Sequence, residues 1–159
     1  MSQRILMSPV GHQKLLAELH EYRTVRRPQV VQDIEEARSH GDLSENAEYE
    51  EAKDRQGQIE ARIHELETRL ASAVVIDPSQ VADTSVVGFG ATVELEDEDT
   101  GKFVTYRLVG AEEIDARAGM ISYDSPIGRA LMGRSAGDEV RVEIPSGARN
   151  FVVNAIRYA

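Results

Sequence analysis

The feature of this sequence that most restricts its fold is a regular repeat over residues 49–73. Mostly apolar residues recur there in alternating steps of three and four, at Tyr49, Ala52, Gln56, Ile59, Ile63, Leu66, Leu70 and Ala73. This spacing places one side chain per turn on a single face of an α-helix, as in the seam of a coiled coil. We therefore predict a long helix whose apolar face is covered by another helix.

The partner helix is predicted in the segment before it. Ser8 and Pro9 are typical of an N-cap and a first helical position, and Gly41 is a suitable stop. One face carries Leu15, Leu19, Tyr22, Val30 or Val31, Ile34 and Ala37. Pro28 cannot donate to the carbonyl of Thr24, so we expect a bend there. Two antiparallel helices of roughly 30 residues, at ~1.5 Å rise per residue, would form a finger about 45 Å long.

The connection between the helices, "HGDLSENAEY" over residues 40–49, is acidic. Asp42 and Glu45 have the spacing of a capping box, and both charges suit the positive end of a helix dipole. Capping does not explain why three further acids follow, at Glu48, Glu50 and Glu51. Two carboxylates one turn apart could instead share a Mg²⁺ ion that has other ligands, because Mg²⁺ accepts one or two protein carboxylates. Both interpretations stay open at this point.

The second half of the chain has the pattern of a β-domain. Alternating segments at 89–96 and 102–109 flank the turn "EDEDTG", which predicts a hairpin. Further strands are predicted at 120–123, 139–144 and 151–158. Between them "SPIGRALMG" predicts a short helix, with Ser125 as N-cap, Pro126 in the first position and Gly133 as stop.

The predicted fold class is therefore α+β. Residues 1–76 form an antiparallel coiled-coil hairpin, residues 77–84 a linker, and residues 85–159 a mostly antiparallel β-domain with one short helix.

Composition excludes several kinds of protein. The net charge of −10 argues against sequence-independent binding to duplex nucleic acid. Cysteine is absent, so disulfides and thiolate metal sites are excluded, and the four histidines lack zinc-site spacing. No apolar run approaches the ~20 residues of a membrane span, and no signal peptide is recognisable, so we expect a cytoplasmic protein with no membrane partner.

Several segments together resemble one known family. They are "EARSHGDLSENAEYEEAKDRQGQIEARIHELETRLASAVVID", then "FGATVEL", "ISYDSPIGRALMG" and "GDEVRVEIPSG". In this order they are similar to the bacterial transcript cleavage (elongation) factors of the GreA/GreB family, and the resemblance covers essentially the whole chain. The chain lacks the longer basic surface of the GreB branch, which places it nearer GreA.

The resemblance implies a specific mode of action. The finger would enter the secondary channel of RNA polymerase, and an FKBP-like C-terminal domain would dock at the channel entrance. Asp42 and Glu45 match the acidic pair that helps the polymerase hold its second Mg²⁺ and a water. The polymerase's own active centre then hydrolyses the backtracked RNA 3′ end. The chain would thus be an accessory factor and a monomer, with Mg²⁺ held only jointly with the polymerase.

Other residues near the connection have predicted supporting roles. Gly41 turns the chain, Ser44 or Asn46 could hydrogen-bond a water or fix the loop, and Tyr49 is expected to pack in the seam. Arg38, Lys53 and Arg55 could contact RNA phosphates, as the family's small basic patch does. Ion pairs along one helix, such as Glu51 with Arg55, are the alternative. A second basic cluster, formed by Arg23, Arg26 and Arg27, could contact the polymerase or form an exposed helix face.

A third predicted site is Asp124, Ser125, Pro126 and Ile127. These residues either begin the short helix or form an edge that contacts the polymerase, with Ile127 as an apolar anchor.

Two other functions are compatible with parts of this sequence. A prolyl isomerase is disfavoured because only 5% of the residues are aromatic and there is no tryptophan, and a fold match is not an active site. A regulator that enters the same channel and inhibits the polymerase is the alternative function.

Overall fold

The computed structural model describes residues 4–39, 41 and 46–158, apart from the side chain of Asn46. The chain divides into two compact units. The first contains the residues up to Ile5 together with His12–Ala73, and the second contains Leu6–Gly11 and Val74–Ala159. This division differs from the predicted one at residues 6–11, at residues 74–76 and at the predicted linker, 77–84, which all belong to the second unit.

The first unit is helical. It contains α1 (Pro9–Glu21) from His12 onward, a π-helical turn (Tyr22–Arg26), α2 (Arg27–Ser39) and α3 (Asn46–Ala71). In the π-helical turn the N–H of Arg27 donates to the carbonyl of Tyr22, five residues back. Pro28, which lacks an N–H, follows directly inside α2. The irregularity in the first helix thus lies just before Pro28.

The predicted apolar faces are buried in this unit. The buried residues are Leu15, Leu19, Val30, Ile34, Ala37, Ala52, Ile63 and Leu66. The sequence left either Val30 or Val31 as the residue on this face. Val30 is 2% exposed and Val31 is 40% exposed, so Val30 is the buried one. The seam ends one step earlier than predicted, because α3 stops at Ala71 and Ala73 begins a strand.

Two short strands were not predicted. β1 (Ile5–Met7) and β2 (Ala73–Val75) form a two-stranded sheet. The N–H of Ile5 donates to the carbonyl of Ser72, and the N–H of Ile76 donates to that of Met7. Three residues are too few to show an alternating pattern, so these strands have no clear signal in the sequence.

The second unit is built on a five-stranded sheet. Its strands are β3 (Thr92–Asp97), β4 (Phe103–Val109), β5 (Met120–Ser122), β6 (Glu139–Ile144) and β7 (Gly147–Arg157). The order is β5-β4-β3-β7-β6, and only the β4–β5 pair is parallel. The predicted hairpin and the mostly antiparallel arrangement are confirmed.

The last strand is longer than predicted. β7 starts at Gly147, where Ile144 pairs with Gly147 across a two-residue turn. The prediction began at residue 151 because Gly147–Asn150 are small or polar and give no alternation. Gly147 has a φ of 125°, a conformation that favours glycine.

The core of this unit lies on one face of the sheet. It includes Val93, Leu95, Leu108 and Phe151, with Leu131 from helix α4 (Pro126–Leu131). We call this the inner face. The predicted linker packs onto this unit as well, since Pro78 is buried and a Cβ on Gly90 would overlap its ring.

Residues 6–11 are fixed to this unit by hydrogen bonds. The N–H of Leu6 donates to the Tyr123 hydroxyl at 3.1 Å, and the Ser8 hydroxyl donates to the Glu113 carboxylate. The N–H of Gly11 donates to Ser8 Oγ at 3.0 Å, which confirms Ser8 as the cap of α1.

Candidate functional site

The proposed centre of the site is the connection between α2 and α3. Asp42, Ser44 and Glu45 lie outside the described residues, as does the side chain of Asn46, so their predicted roles stay predictions. Gly41 is described and has a φ of 61°, in the left-handed region that favours glycine. Its N–H donates to the carbonyl of Arg38 at 3.3 Å. The prediction of a left-handed glycine just after the first helical segment is confirmed.

Tyr49 lies one turn into α3 and is half-buried. The guanidinium carbon of Arg38, from α2, lies 5.7 Å from the centre of its ring. This is the geometry of a cation–π contact, which links the last turn of α2 to the first turn of α3. Tyr49 therefore packs between the helices, as predicted, and Arg38 has a contact within the finger.

The other two residues of the predicted RNA-binding patch also contact neighbours. Arg55 Nη2 lies 3.4 Å from Oδ2 of Asp33, which is on α2. Lys53 Nζ donates to Oε1 of Gln56 at 3.1 Å. The contact of Arg55 is therefore with the facing helix, a contact that spacing along α3 could not reveal. All three basic side chains remain exposed.

Beside these contacts the two helices form an open groove. It has a volume of about 250 Å³ and is lined by Asp33, Glu36, Ala37, Glu48, Glu51, Ala52 and Arg55. The two alanines leave room between the helices, and four carboxylates face one guanidinium. The finger is therefore acidic on this side as well as in its connection. Asp33 and Glu36 were not singled out in the sequence, because their position on the facing helix depends on the register of the hairpin.

Farther along the finger, ion pairs connect the two helices. Arg27 donates to both carboxylate oxygens of Glu60, at 2.7 and 2.9 Å. Further pairs are Arg23 with Glu67 at 3.1 Å and Arg62 with Glu18 at 2.8 Å. The hydrogen bond from Arg27 lowers the pKa of Glu60.

The arginines of the second basic cluster therefore make contacts within the finger. Arg23 and Arg27 bridge to α3, and the Arg26 guanidinium carbon lies 4.7 Å from the centre of the Tyr22 ring.

The predicted third site begins α4. Ser125 Oγ accepts from the N–H of Gly128 at 3.0 Å and donates to the carbonyl of Ser122 at 2.7 Å. Asp124 pairs with Arg129 at 2.9 Å, and Pro126 is exposed in the first helical position. Ile127 is half-buried against the core. The capping interpretation is confirmed, and a contact of these residues with polymerase stays a prediction.

Two absences concern the described part of the chain only. Among residues 4–39, 41 and 46–158, no group of three or more His, Asp or Glu side chains is arranged to hold a metal ion. Within the same residues, no helix is long and apolar enough to span a bilayer.

Comparisons with known proteins agree along the whole chain. Residues 5–75 match the family model described as "Transcription elongation factor, N-terminal", and residues 82–158 match "Transcription elongation factor, GreA/GreB, C-term". The transcription elongation factor GreA of Verminephrobacter eiseniae is 53% identical over 148 residues, which cover 93% of this chain and 94% of that protein. GreA of Syntrophotalea carbinolica is 52% identical over 158 residues, 99% of each chain. Among solved structures, the GreA factor homolog Gfh1 of Thermus thermophilus is 30% identical, with 98% and 99% of the two chains covered and a TM-score of 0.45.

Proposed function

Because the chain belongs to the GreA/GreB family of transcription elongation factors, we propose that it stimulates RNA cleavage by RNA polymerase. The chain would bind the polymerase and insert the end of its helical hairpin into the secondary channel. There it would accelerate the polymerase's hydrolysis of backtracked RNA 3′ ends and so rescue arrested complexes.

The observation that carries this proposal is a hairpin of ion-paired helices whose connection contains Asp42 and Glu45. The 26 residues of α3 span about 39 Å at ~1.5 Å per residue. Two packed helices are narrow enough to enter a channel, and ion pairs connect the two helices along their length. A rod of this kind can carry two carboxylates into a site on another protein.

The chemistry of the connection suits a shared Mg²⁺ ion. Mg²⁺ takes one or two protein carboxylates and keeps other ligands, so an exposed Asp–Glu pair could complete a site on the polymerase but would hold the ion poorly alone. When bound jointly, the ion supplies charge stabilisation for phosphodiester hydrolysis. Asp42 and Glu45 would hold it or orient the water, and Gly41 allows the turn that presents them.

The basic residues near the connection have a secondary role in this proposal. Arg38 lies closest to it in sequence, and its side chain remains exposed although its guanidinium lies over the ring of Tyr49. It is therefore the member of the proposed RNA-binding set best placed to contact phosphates. Lys53 and Arg55 lie about two turns into α3. We also propose that the chain works as a cytoplasmic monomer, and that the Asp124–Ile127 edge contacts the polymerase.

The deciding experiment is a cleavage assay on backtracked elongation complexes over a range of Mg²⁺ concentrations. If the chain raises the occupancy of a weak metal site, its stimulation should be greatest at low Mg²⁺ and should shrink as the ion saturates the site. The purified chain with RNA and Mg²⁺ should cleave nothing, because two exposed carboxylates lack an enclosed catalytic site. Slower cleavage and slower elongation with increasing protein would instead identify a channel-binding inhibitor.

A further inference from the structure

The second unit carries an unusually exposed aromatic side chain. Phe103, at the start of β4, is 73% exposed, more than any other large apolar side chain among the described residues. It pairs with Glu96 of β3. Because side chains alternate along a strand and Leu95 is buried in the core, both Glu96 and Phe103 lie on the outer face of the sheet, opposite the core.

The pairing of the strands places Phe103 at one end of a row across this face. Glu96 pairs with Val152 of β7, and Val152 pairs with Glu139 of β6. Neighbours in such a row have Cβ atoms about 4.5–5.5 Å apart. The row therefore reads Phe103, Glu96, Val152, Glu139. Together with Glu98, which follows β3, we call these residues the Phe103 face.

The carboxylates of this face lack compensating cations. Glu96, Glu98 and Glu139 form no ion pair with any described residue. The neighbouring arginines pair elsewhere, Arg141 with Glu143 and Arg149 with Asp97. Glu98 and Glu139 lie within hydrogen-bonding contact, and desolvation together with the charge of Glu139 raises the pKa of Glu98. Like charges are thus held close together on the same face of the sheet as an exposed phenylalanine.

We propose that the Phe103 face docks a basic segment of RNA polymerase, in which an apolar pocket receives Phe103 and lysine or arginine side chains meet Glu96, Glu98 and Glu139. The choice of polymerase rests on the proposed function. Charge decides the chemistry of the occupant, because nucleic acid would place phosphates against carboxylates and a second copy would place these carboxylates against each other. An aromatic side chain that becomes buried on binding can supply much of the affinity, and complementary charges add specificity and a faster association.

This surface is distinct from the Asp124–Ile127 edge. Helix α4 contributes Leu131 to the core on the inner face, whereas Phe103 lies on the outer face of the same sheet. The two surfaces could therefore contact different parts of one partner.

The test compares the affinity of full-length variants for core RNA polymerase. Phe103→Ala should raise the Kd about ten-fold or more. Ile114→Ala is the matched control, because Ile114 is also apolar and 53% exposed in the same unit but lies outside the strands, and it should bind within about two-fold of wild type. The double change Glu96→Gln with Glu139→Gln should weaken binding at low salt and have less effect at high salt, while the effect of Phe103→Ala should persist.

The outcomes separate this inference from the function it rests on. Wild-type protein that fails to bind polymerase would overturn both. Wild-type binding that Phe103→Ala leaves unchanged would overturn this inference alone. Dimerisation that depends on Phe103 would also overturn it, in favour of self-association.

Because Phe103 is exposed, its removal should leave the thermal melting curve unchanged, so a lower melting temperature matched to the loss of binding would also count against docking. Cleavage lost by Phe103→Ala should return at higher protein concentration, whereas cleavage lost at Asp42 and Glu45 should not.

Discussion

The finger and the sheet unit are stabilised in different ways. The sheet unit buries residues from four strands and α4 in one cluster, in which Val93, Leu95 and Leu108 are fully inaccessible to solvent. The finger has a single seam, partly made of alanines, and ion pairs flank it on the exposed surface. The sheet is therefore held mainly by apolar burial, while the register of the finger also depends on charge, so salt and pH should affect the two units unequally.

The largest expected effect separates activity from binding. Asp42→Ala combined with Glu45→Ala should abolish stimulated cleavage and leave polymerase binding nearly unchanged, because the change removes the proposed metal-orienting carboxylates. Cleavage assays and binding measurements on the same complexes check this.

Asp42→Asn is the matched control for this prediction, because asparagine caps a helix well but ligates Mg²⁺ poorly. Its loss of activity with an unchanged melting curve would support a role in metal handling. Wild-type cleavage by the double variant would rule out the catalytic assignment and leave only a cap worth about 1 kcal/mol.

The second-largest effect is the loss of stability when a buried leucine is truncated in either unit. Leu95 in the sheet and Leu66 in α3 are both 0% exposed. Leucine-to-alanine changes in cores cost about 2–5 kcal/mol, and the cost is smaller where the surroundings can collapse. Leu95→Ala should therefore lie near the upper end and Leu66→Ala near the lower end of this range. Denaturant unfolding should show the difference, and equal costs would contradict the contrast drawn between the units.

A smaller effect concerns the buried carboxylate of the sheet unit. Asp97 is 3% exposed and accepts from Arg149 Nη2 at 2.6 Å, and this contact lowers its pKa. A lowered native pKa stabilises the fold above the unfolded value of about 3.9, and the stabilisation is lost as pH falls through the native pKa. Asp97→Asn keeps an acceptor for the N–H of Asp99 but removes the charge. It should melt below wild type at pH 7, and the difference should vanish in acid but change little with salt.

The smallest effect is expected at Glu60. Its pKa is lowered by Arg27 in an exposed pair, so its contribution is likewise present above the unfolded pKa and lost as pH falls. Glu60→Gln should lower the melting temperature of the helical signal slightly at pH 7 and low salt, since exposed pairs contribute little. High salt should remove the difference. A loss that persists in high salt would show that packing, not charge, matters at this position.

The sequence was most informative where structure depends on neighbours along the chain. The seam positions from Ala52 to Leu66, the cap at Ser125 and the hairpin around residues 97–102 all follow from local spacing, and all are present. Contacts between distant segments were not predictable in this way. Arg55 meets Asp33 because of the hairpin register, and the three-residue strand β1 exists only because residues 73–75 pair with it.

In the candidate site, too, local features were predictable and contacts between distant segments were not. The left-handed conformation of Gly41 and the packing of Tyr49 could be predicted from residue type and periodicity. The acidic groove could not, since Asp33 and Glu36 join it from the facing helix. The roles of Asp42 and Glu45 come from the family resemblance, because two acids one turn apart suit a helix cap equally well.

The ion pairs of the finger also bear on how the chain folds. The paired residues are separated by 22 positions for Asp33 and Arg55, 33 for Arg27 and Glu60, and 44 for Glu18 and Arg62. Closing a short loop costs less entropy than closing a long one, and each contact shortens the loop that the next must close. We therefore expect the contacts nearest the connection to form first and those farthest from it to form last. Ser8 and Glu113 are 105 positions apart, so they meet only after most of the chain has been synthesised. The segment proposed to work inside another protein would then be the place where folding of the finger begins.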